Sequence, residues 1–180
     1  MGHKILVVTG SPRKNGNTDL LADAFIRGAE AAGNKVYRFD AGRAQVHGCL
    51  DCKSCIANEG KCAQDDDMQQ AYVHLRECDI LVLATPVYFF SLSSQIKAFI
   101  DRLYCDIGKP LSIQSSVLLT VQEDTNPTVA DNAVHTYRSI ANYIGWENLG
   151  IVTVQGVKGV GAIIGNPKLG KAYTLGASIL

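Results

Sequence analysis

Short apolar runs along the chain alternate with stretches whose apolar residues recur every three or four positions. Ile5 to Thr9 is a continuous apolar, β-branched run, as a central strand buried on both faces requires. From Asp19 to Ala32, residues Leu20, Leu21, Ala24, Phe25, Gly28 and Ala32 share one helical face, and Gly33-Asn34 supplies the stop. Lys35 to Asp40 then alternates like a strand nearer the sheet edge. Residues 41–64 read as a long polar, cysteine-rich connection, followed by a weaker helix from about Asp66 to Arg76. Asp79 to Thr85 predicts the second fully buried strand, and Leu92, Ile96, Phe99, Ile100 and Leu103 mark a helix after it. Ser116 to Val121 predicts a fourth strand. Thr128 to Ile144 predicts a helix with Val134, Tyr137, Ala141 and Ile144 inward, closed by Gly145. Leu149 to Val154 reads as a fifth strand and Lys168 to Leu180 as a closing helix. Strands interleaved with amphipathic helices imply βαβ units around a parallel sheet. With no repeat or linker, the chain predicts one α/β domain over residues 1–180. Its architecture is a doubly wound five-stranded parallel sheet, order 2-1-3-4-5, with helices on both faces.

Charge removes several functions from consideration. Lys+Arg and Asp+Glu both number 17, so the chain has no net field with which to grip nucleic acid or an anionic membrane. No apolar run approaches the eighteen residues of a membrane span, and the run after Met1 meets Gly10 and Pro12 too soon for a signal-peptide core. The expected location is cytoplasmic, where the six cysteines stay reduced and act as thiols, metal ligands or core residues.

Candidate chemistry gathers after the first and third strands. Gly10-Ser11-Pro12-Arg13-Lys14-Asn15-Gly16-Asn17-Thr18 collects two cations, hydroxyls, amides and a flexible glycine beside a helix N-terminus. Exposed N–H groups and the positive end of the helix dipole make such a turn an anion site. The Walker A order and the dinucleotide Gly-x-Gly-x-x-Gly order are both absent, so a monophosphate is the better ligand. Asn17 or Thr18 would equally serve as a plain helix cap. The second loop, Thr85-Pro86-Val87-Tyr88-Phe89-Phe90-Ser91, breaks its strand with a proline and then sets three aromatics in a row. Strands one and three are neighbours in the predicted order, so their loops flank the topological switch point. A flat heteroaromatic ring at one loop with its phosphate in the other is what this pair predicts. Packing of the rings against a neighbouring loop or subunit is the competing reading.

These loops together, with Ser91 through Lys97 and Phe99-Ile100-Asp101-Arg102, make the chain resemble the NADPH-dependent FMN reductase family of flavodoxin-like flavoproteins. The resemblance runs over essentially the whole chain. It implies FMN, with its phosphate on Ser11, Arg13, Asn17 and Thr18 and its ring edge against Pro86, Val87, Tyr88 and Phe89. Backbone N–H groups near Val87 to Phe89 would face the ring. It further implies NAD(P)H as electron donor and a flavin, quinone or other small molecule as acceptor, in a homodimer or homotetramer that closes the open nicotinamide face. No catalytic side chain is required, because the chemistry belongs to the flavin. A third loop usually contributes after the fourth strand; here it is Val121-Gln122-Glu123-Asp124, and no residue of it is assigned a role.

Cys49, Cys52, Cys55 and Cys62 form a C-x2-C-x2-C-x6-C run. Four thiolates at this spacing can close around a 4Fe-4S cluster, and tetrahedral zinc or a loop of free thiols are the alternatives. The run is similar to the motif of iron-sulfur flavoproteins, a subset of the same family. That similarity implies an electron carrier fed by a ferredoxin-like partner. Cys78 and Cys105 read as core residues. Asp65-Asp66-Asp67 reads as a helix cap with a solvated first turn, Gly159 to Gly165 as a mobile loop near the pocket, and the four histidines lie apart without ligand spacing.

Overall fold

The computed structural model describes residues 2–180; Met1, where the amino-terminal run begins, lies outside them. Strand β1 (Lys4–Thr9) is buried from Ile5 onward, as its unbroken apolar sequence demands. It pairs in parallel with β2 (Lys35–Phe39) on one side and with β3 (Ile80–Tyr88) on the other. β3 pairs in parallel with β5 (Ser115–Val121), and β5 with β6 (Glu147–Val154). A two-residue strand, β4 (Ser91–Leu92), folds back antiparallel on the end of β3. The order β2-β1-β3-β5-β6 is the predicted 2-1-3-4-5, with the numbering displaced by that hairpin arm.

Alternation along the central strands divides the core in two. Leu6, Val8, Leu81, Leu83 and Leu118 face α3 (Met68–Leu75), α4 (Ser94–Asp101) and α5 (Asp131–Ile144). Ile5, Val7, Val82, Val117 and Leu119 face α1 (Asn17–Ala31) and α6 (Pro167–Ala177). Gly28 and Gly176 let these last two helices touch backbone to backbone: a Cβ on Gly28 would sit 2.0 Å from Tyr173 O, and one on Gly176 2.2 Å from Phe25 O. Small residues at the crossing thus fix how α6 seats on α1.

Several boundaries differ from the sequence reading. β3 does not break at Pro86 but continues through it to Tyr88. Gly10 N–H donates to Ala84 O at 2.8 Å, so residue 84 and, by alternation, residue 86 turn their main-chain groups toward β1. β1 has already ended at Thr9, and the N–H that Pro86 lacks has no ladder partner there. Leu92 belongs to β4 and Leu103 to a 3-10 turn over Arg102–Ile107, so α4 is shorter than its apolar spacing implied. The helix expected from Thr128 opens as a 3-10 turn (Pro127–Ala130) before α5, which Gly145 closes in the left-handed conformation at φ +88°. The closing helix stops at Ala177, and the cysteine-rich connection carries a single short turn, α2 (Ser54–Ala57).

Candidate functional site

The carboxyl ends of β1, β3 and β5 open into one cleft of about 140 Å3. It is lined by Ser11, Arg13, Asn17 and Thr18 from the first loop and by Pro86, Val87 and Tyr88 from the third. Seven of the eight residues singled out in sequence therefore share one wall-to-wall space. The eighth, Phe89, lines an adjoining outer cleft of about 540 Å3 together with Val87, Phe90 and the segment Gln122 to Val129. Val87, Gln122 and Glu123 belong to both. The inner cleft is smaller than the roughly 300 Å3 at which ligand pockets begin, so a mononucleotide must extend from it into the outer one.

The inner end is built for an anion. Helix α1 starts at Gly16 with no side chain capping it, and Leu20 N is bonded to Gly16 O at 3.0 Å. Asn17 and Thr18 of its first turn line the cleft beside Arg13, so the positive end of the helix lies at this wall. Asp19, an acid in this first turn, does not spoil the field. Its buried carboxylate accepts from Arg38 at 2.7 Å, Arg43 at 3.1 Å and Asn15 N at 2.9 Å. Arg38 and Arg43 also grip Asp40, at 2.7 and 2.6 Å, and Thr9 Oγ1 donates to Asp40 at 2.7 Å. Burial works to raise the Asp40 carboxyl, yet the hydrogen bonds from Arg38, Thr9 and Arg43 prevail and hold it at about 2. The network ties β1, α1 and the turn after β2 together beneath the loop. Gly42, in that turn, passes so close that a Cβ would lie 2.2 Å from Ser11 O.

Asn17 lines the cleft, but its side-chain amide faces another way. Nδ2 donates to Val157 O at 3.2 Å and to Gly159 O at 2.8 Å, while Oδ1 accepts from Ile163 N at 3.2 Å. Arg13 adds a bond to Lys158 O at 3.3 Å. The glycine-rich segment after β6, read in sequence as mobile, is thus pinned to α1 and contributes Val157 and Lys158 to the cleft. Sequence reasoning missed these two residues, because no local motif marks a loop whose place is set by one asparagine 140 residues away. It also left Val121, Gln122 and Glu123 without a role; their one signal was position, at the end of the strand that neighbours β3.

The loop after β3 is a strained hairpin. Phe89 and Phe90 have φ of +45° and +64°, the signs of a type I′ turn, where Asn-Gly is the usual pair. Phe89 is 98% exposed and Phe90 56%. Two large apolar residues held outward in a conformation costing about 1–3 kcal/mol each mark a functional surface. Ser93 locks this hairpin to the phosphate loop, donating from Oγ to Gly10 O at 2.9 Å while its N–H donates to Thr85 Oγ1 at 3.2 Å.

The cysteine-rich connection is clamped at its base by Arg102 and held again at Gly60, whose carbonyl accepts from Arg76 at 3.0 Å. Arg102, buried within the fold, donates to both Asp66 oxygens at 2.7 and 3.1 Å and to His47 O at 3.0 Å. Asp66 is therefore a buried ion-pair partner, not part of a solvated turn; its oxygen also accepts from Met68 N at 3.2 Å. Cys49 and Cys52 are exposed, and Cys55 and Cys62 half-buried. Among the described residues, no three His, Cys, Asp or Glu side chains converge as metal ligands. In this conformation the four thiols do not fit a cluster or a zinc ion. Cys78 and Cys105 are core residues, their thiols pushed up by burial to about 12 and about 11.

With this geometry described, comparison with known proteins decides the family. Residues 3–155 match the NADPH-dependent FMN reductase family. The chain belongs to it. A relative called iron-sulfur flavoprotein, from Archaeoglobus fulgidus, is 36% identical over 100 residues, 56% of this chain and 45% of that one. A Bacillus subtilis protein, YwqN, provisionally assigned as an NAD(P)H-dependent FMN-containing oxidoreductase, is 26% identical over 161 residues, 85% of each chain. The iron-sulfur flavoproteins matched here share only about half of their length with this FMN reductase family member. Among solved structures, an NAD(P)H:quinone oxidoreductase from Methanothermobacter marburgensis superposes with a TM-score of 0.76 at 16% identity, covering 98% of this chain and 96% of that one. This likeness establishes the flavodoxin-like fold. Among the described residues no helix is long and apolar enough to cross a membrane.

Proposed function

We propose that this chain is an FMN-dependent NAD(P)H oxidoreductase, residues 1–180 forming one flavin-binding domain, that passes electrons through bound FMN to a flavin, quinone or other small acceptor. The observation that carries the reading is the single cleft joining Ser11, Arg13 and the bare start of α1 to Pro86, Val87 and Tyr88. Such a cleft suits a phosphate at one end and a flat ring at the other. The flavin supplies the one- and two-electron chemistry when bound. The chain's own groups bind and orient. Arg13 and the α1 amides hold the dianionic phosphate, Pro86 to Tyr88 back the ring edge, and the Phe89-Phe90 turn walls the outer cleft where donor and acceptor approach in turn.

Steady-state oxidation of NADH and NADPH with a panel of quinones and flavins tests the activity; no turnover with any pair contradicts it. Arg13→Ala should weaken FMN binding about tenfold or more, the loss of one charge-assisted phosphate contact. Unchanged affinity by titration would remove Arg13 from the site. The apolar side chains Tyr104, Ile107, Tyr143 and Ile144, exposed together beside α5, support a homodimer or homotetramer.

A second reading, an iron-sulfur flavoprotein that carries electrons from a ferredoxin-like partner, is favoured by the spacing of Cys49, Cys52, Cys55 and Cys62. It requires their loop to rearrange. Iron and acid-labile sulfide at four per chain in protein purified without oxygen would support it, and their absence would leave the simple oxidoreductase.

A further inference from the structure

Residues 178–180 follow α6 and, together with His3, line a hollow of about 310 Å3 at the amino-terminal ends of β3, β5 and β6, the sheet edge opposite the cleft. Ile179 is 6% exposed and packs with the core on the α1 and α6 side. Past the last bonds of the helix, two side chains hold this segment. Asn34 Nδ2 donates to Ile179 O at 2.8 Å, and His3 Nε2 lies 3.1 Å from Leu180 O. His3 is itself fixed at both ends: its main-chain N–H donates to Asn34 Oδ1 at 2.8 Å, and its ring Nδ1 lies 2.6 Å from Asp79 Oδ2. The other Asp79 oxygen accepts from Lys4 N at 3.0 Å, which sets the carboxylate between the starts of β1 and β3. Asp79 Oδ2 and Leu180 O accept hydrogen bonds and cannot donate. A neutral imidazole has one N–H and satisfies one of them; the imidazolium has two and satisfies both. The hydrogen bond to Asp79 raises the His3 pKa, burial and the amino-terminal charge lower it, and the rise prevails. Of the remaining charges nearby, Lys4 pairs with Glu77 at 3.7 Å and Glu147 lines the hollow.

We propose that His3 is a pH-sensitive clasp: its imidazolium ties residues 178–180 to Asp79, and its deprotonation releases Leu180. A neutral ring keeps its N–H on the carboxylate, the closer and charged partner, and turns a bare Nε2 toward Leu180 O, so that two acceptors face each other. The segment then stays hinged at Ile179, whose bond to Asn34 does not titrate, while its end swings free. The folded ring holds its proton more tightly than a free histidine, whose pKa is about 6.5. The clasp's contribution to stability is therefore complete below about pH 6.5 and is lost as pH rises through the folded value. None of these groups lines the inner or outer cleft, so the clasp does not depend on FMN.

The test is a series from about pH 5.5 to about pH 9 on the intact chain, spanning the ordinary histidine range. Wild type is compared with His3→Gln, which keeps a donor but cannot titrate, and with Asp79→Asn. In the wild type the His3 ring, followed by NMR, should titrate above about 6.5. The Leu180 amide, ordered at the acid end by nitrogen relaxation, should become mobile with the same midpoint. In denaturant unfolding, the folding equilibrium constant of the wild type should fall about threefold relative to His3→Gln over the series, a modest change because the pair is partly exposed. Asp79→Asn should return the His3 midpoint to about 6.5 or below. A wild-type ring that titrates at or below about 6.5, or a Leu180 amide whose mobility does not follow pH, overturns the clasp. The same pH-dependent release in His3→Gln would assign it to another group and overturn the clasp as well. The wild-type titration and relaxation need no variant, so they decide the matter even if a substitution prevents folding.

Discussion

At the scale of single residues, the end of the cleft lined by Ser11 and Arg13 depends on groups that never reach it. Gly42 is one, since its missing Cβ lets the turn after β2 lie against the backbone of Ser11. Gly42→Ala must push the Ser11 loop outward, and FMN affinity should fall about tenfold or more while the sheet survives. Equal FMN titrations of variant and wild type would contradict this. Asp40 is another. Its carboxyl is held at about 2 in the folded chain, below the roughly 3.9 of an unfolded aspartate. The unfolded state then binds the proton first. The network's contribution to stability is complete above about pH 4 and is lost as pH falls through about 2. Asp40→Asn should lower stability at neutral pH and flatten the acid limb of the unfolding curve between those values, read from denaturant midpoints against pH. These dependences were invisible in sequence, where Arg38, Asp40 and Gly42 are unremarkable loop and edge-strand residues. That Ser11, Arg13 and Thr18 line one cleft was legible because they sit close together in the chain. Sequence makes Asn17 a side-chain donor to the phosphate or a helix cap; in the structure its amide instead serves a loop 140 residues away.

At the scale of elements, the hairpin after β3 carries the most information. Its proline suggested a break, and the structure has a strand that continues because its neighbour β1 has already ended. A turn of two phenylalanines is the opposite of what a type I′ hairpin selects. Replacing Phe89-Phe90 with Asn-Gly should therefore stabilise the fold by about 1–2 kcal/mol in denaturant unfolding. The same replacement should reduce turnover with aromatic acceptors, because it removes two rings from the outer cleft. A variant that gains no stability would show that the turn is unstrained. One with undiminished turnover would show that the rings do not touch the acceptor. Strain of this kind leaves no trace in hydrophobic periodicity, so the sequence marked the three aromatics as available without showing how they are held.

At the scale of the molecule, the doubly wound sheet brings the ends of β1, β3 and β5 to one edge, and the function follows from that convergence. Strand order could be read from the chain because Ile5 to Val8 and Ile80 to Ala84 are apolar throughout, which only central parallel strands tolerate. The loop after β6 could not be read, since its place depends on tertiary hydrogen bonds to Asn17 and Arg13 rather than on its own glycines. The cysteine loop lies between these cases. Its spacing is plain in sequence, and its clamp by Arg102 and Asp66 needs the folded chain.

The central claim is that the cleft between the first and third loops holds FMN. The most direct measurement is the visible absorption spectrum of protein purified without oxygen, followed by titration of the FMN-free protein with FMN. The account predicts two resolved flavin bands and saturation at one FMN per chain. A colourless protein that takes up no added FMN would contradict it.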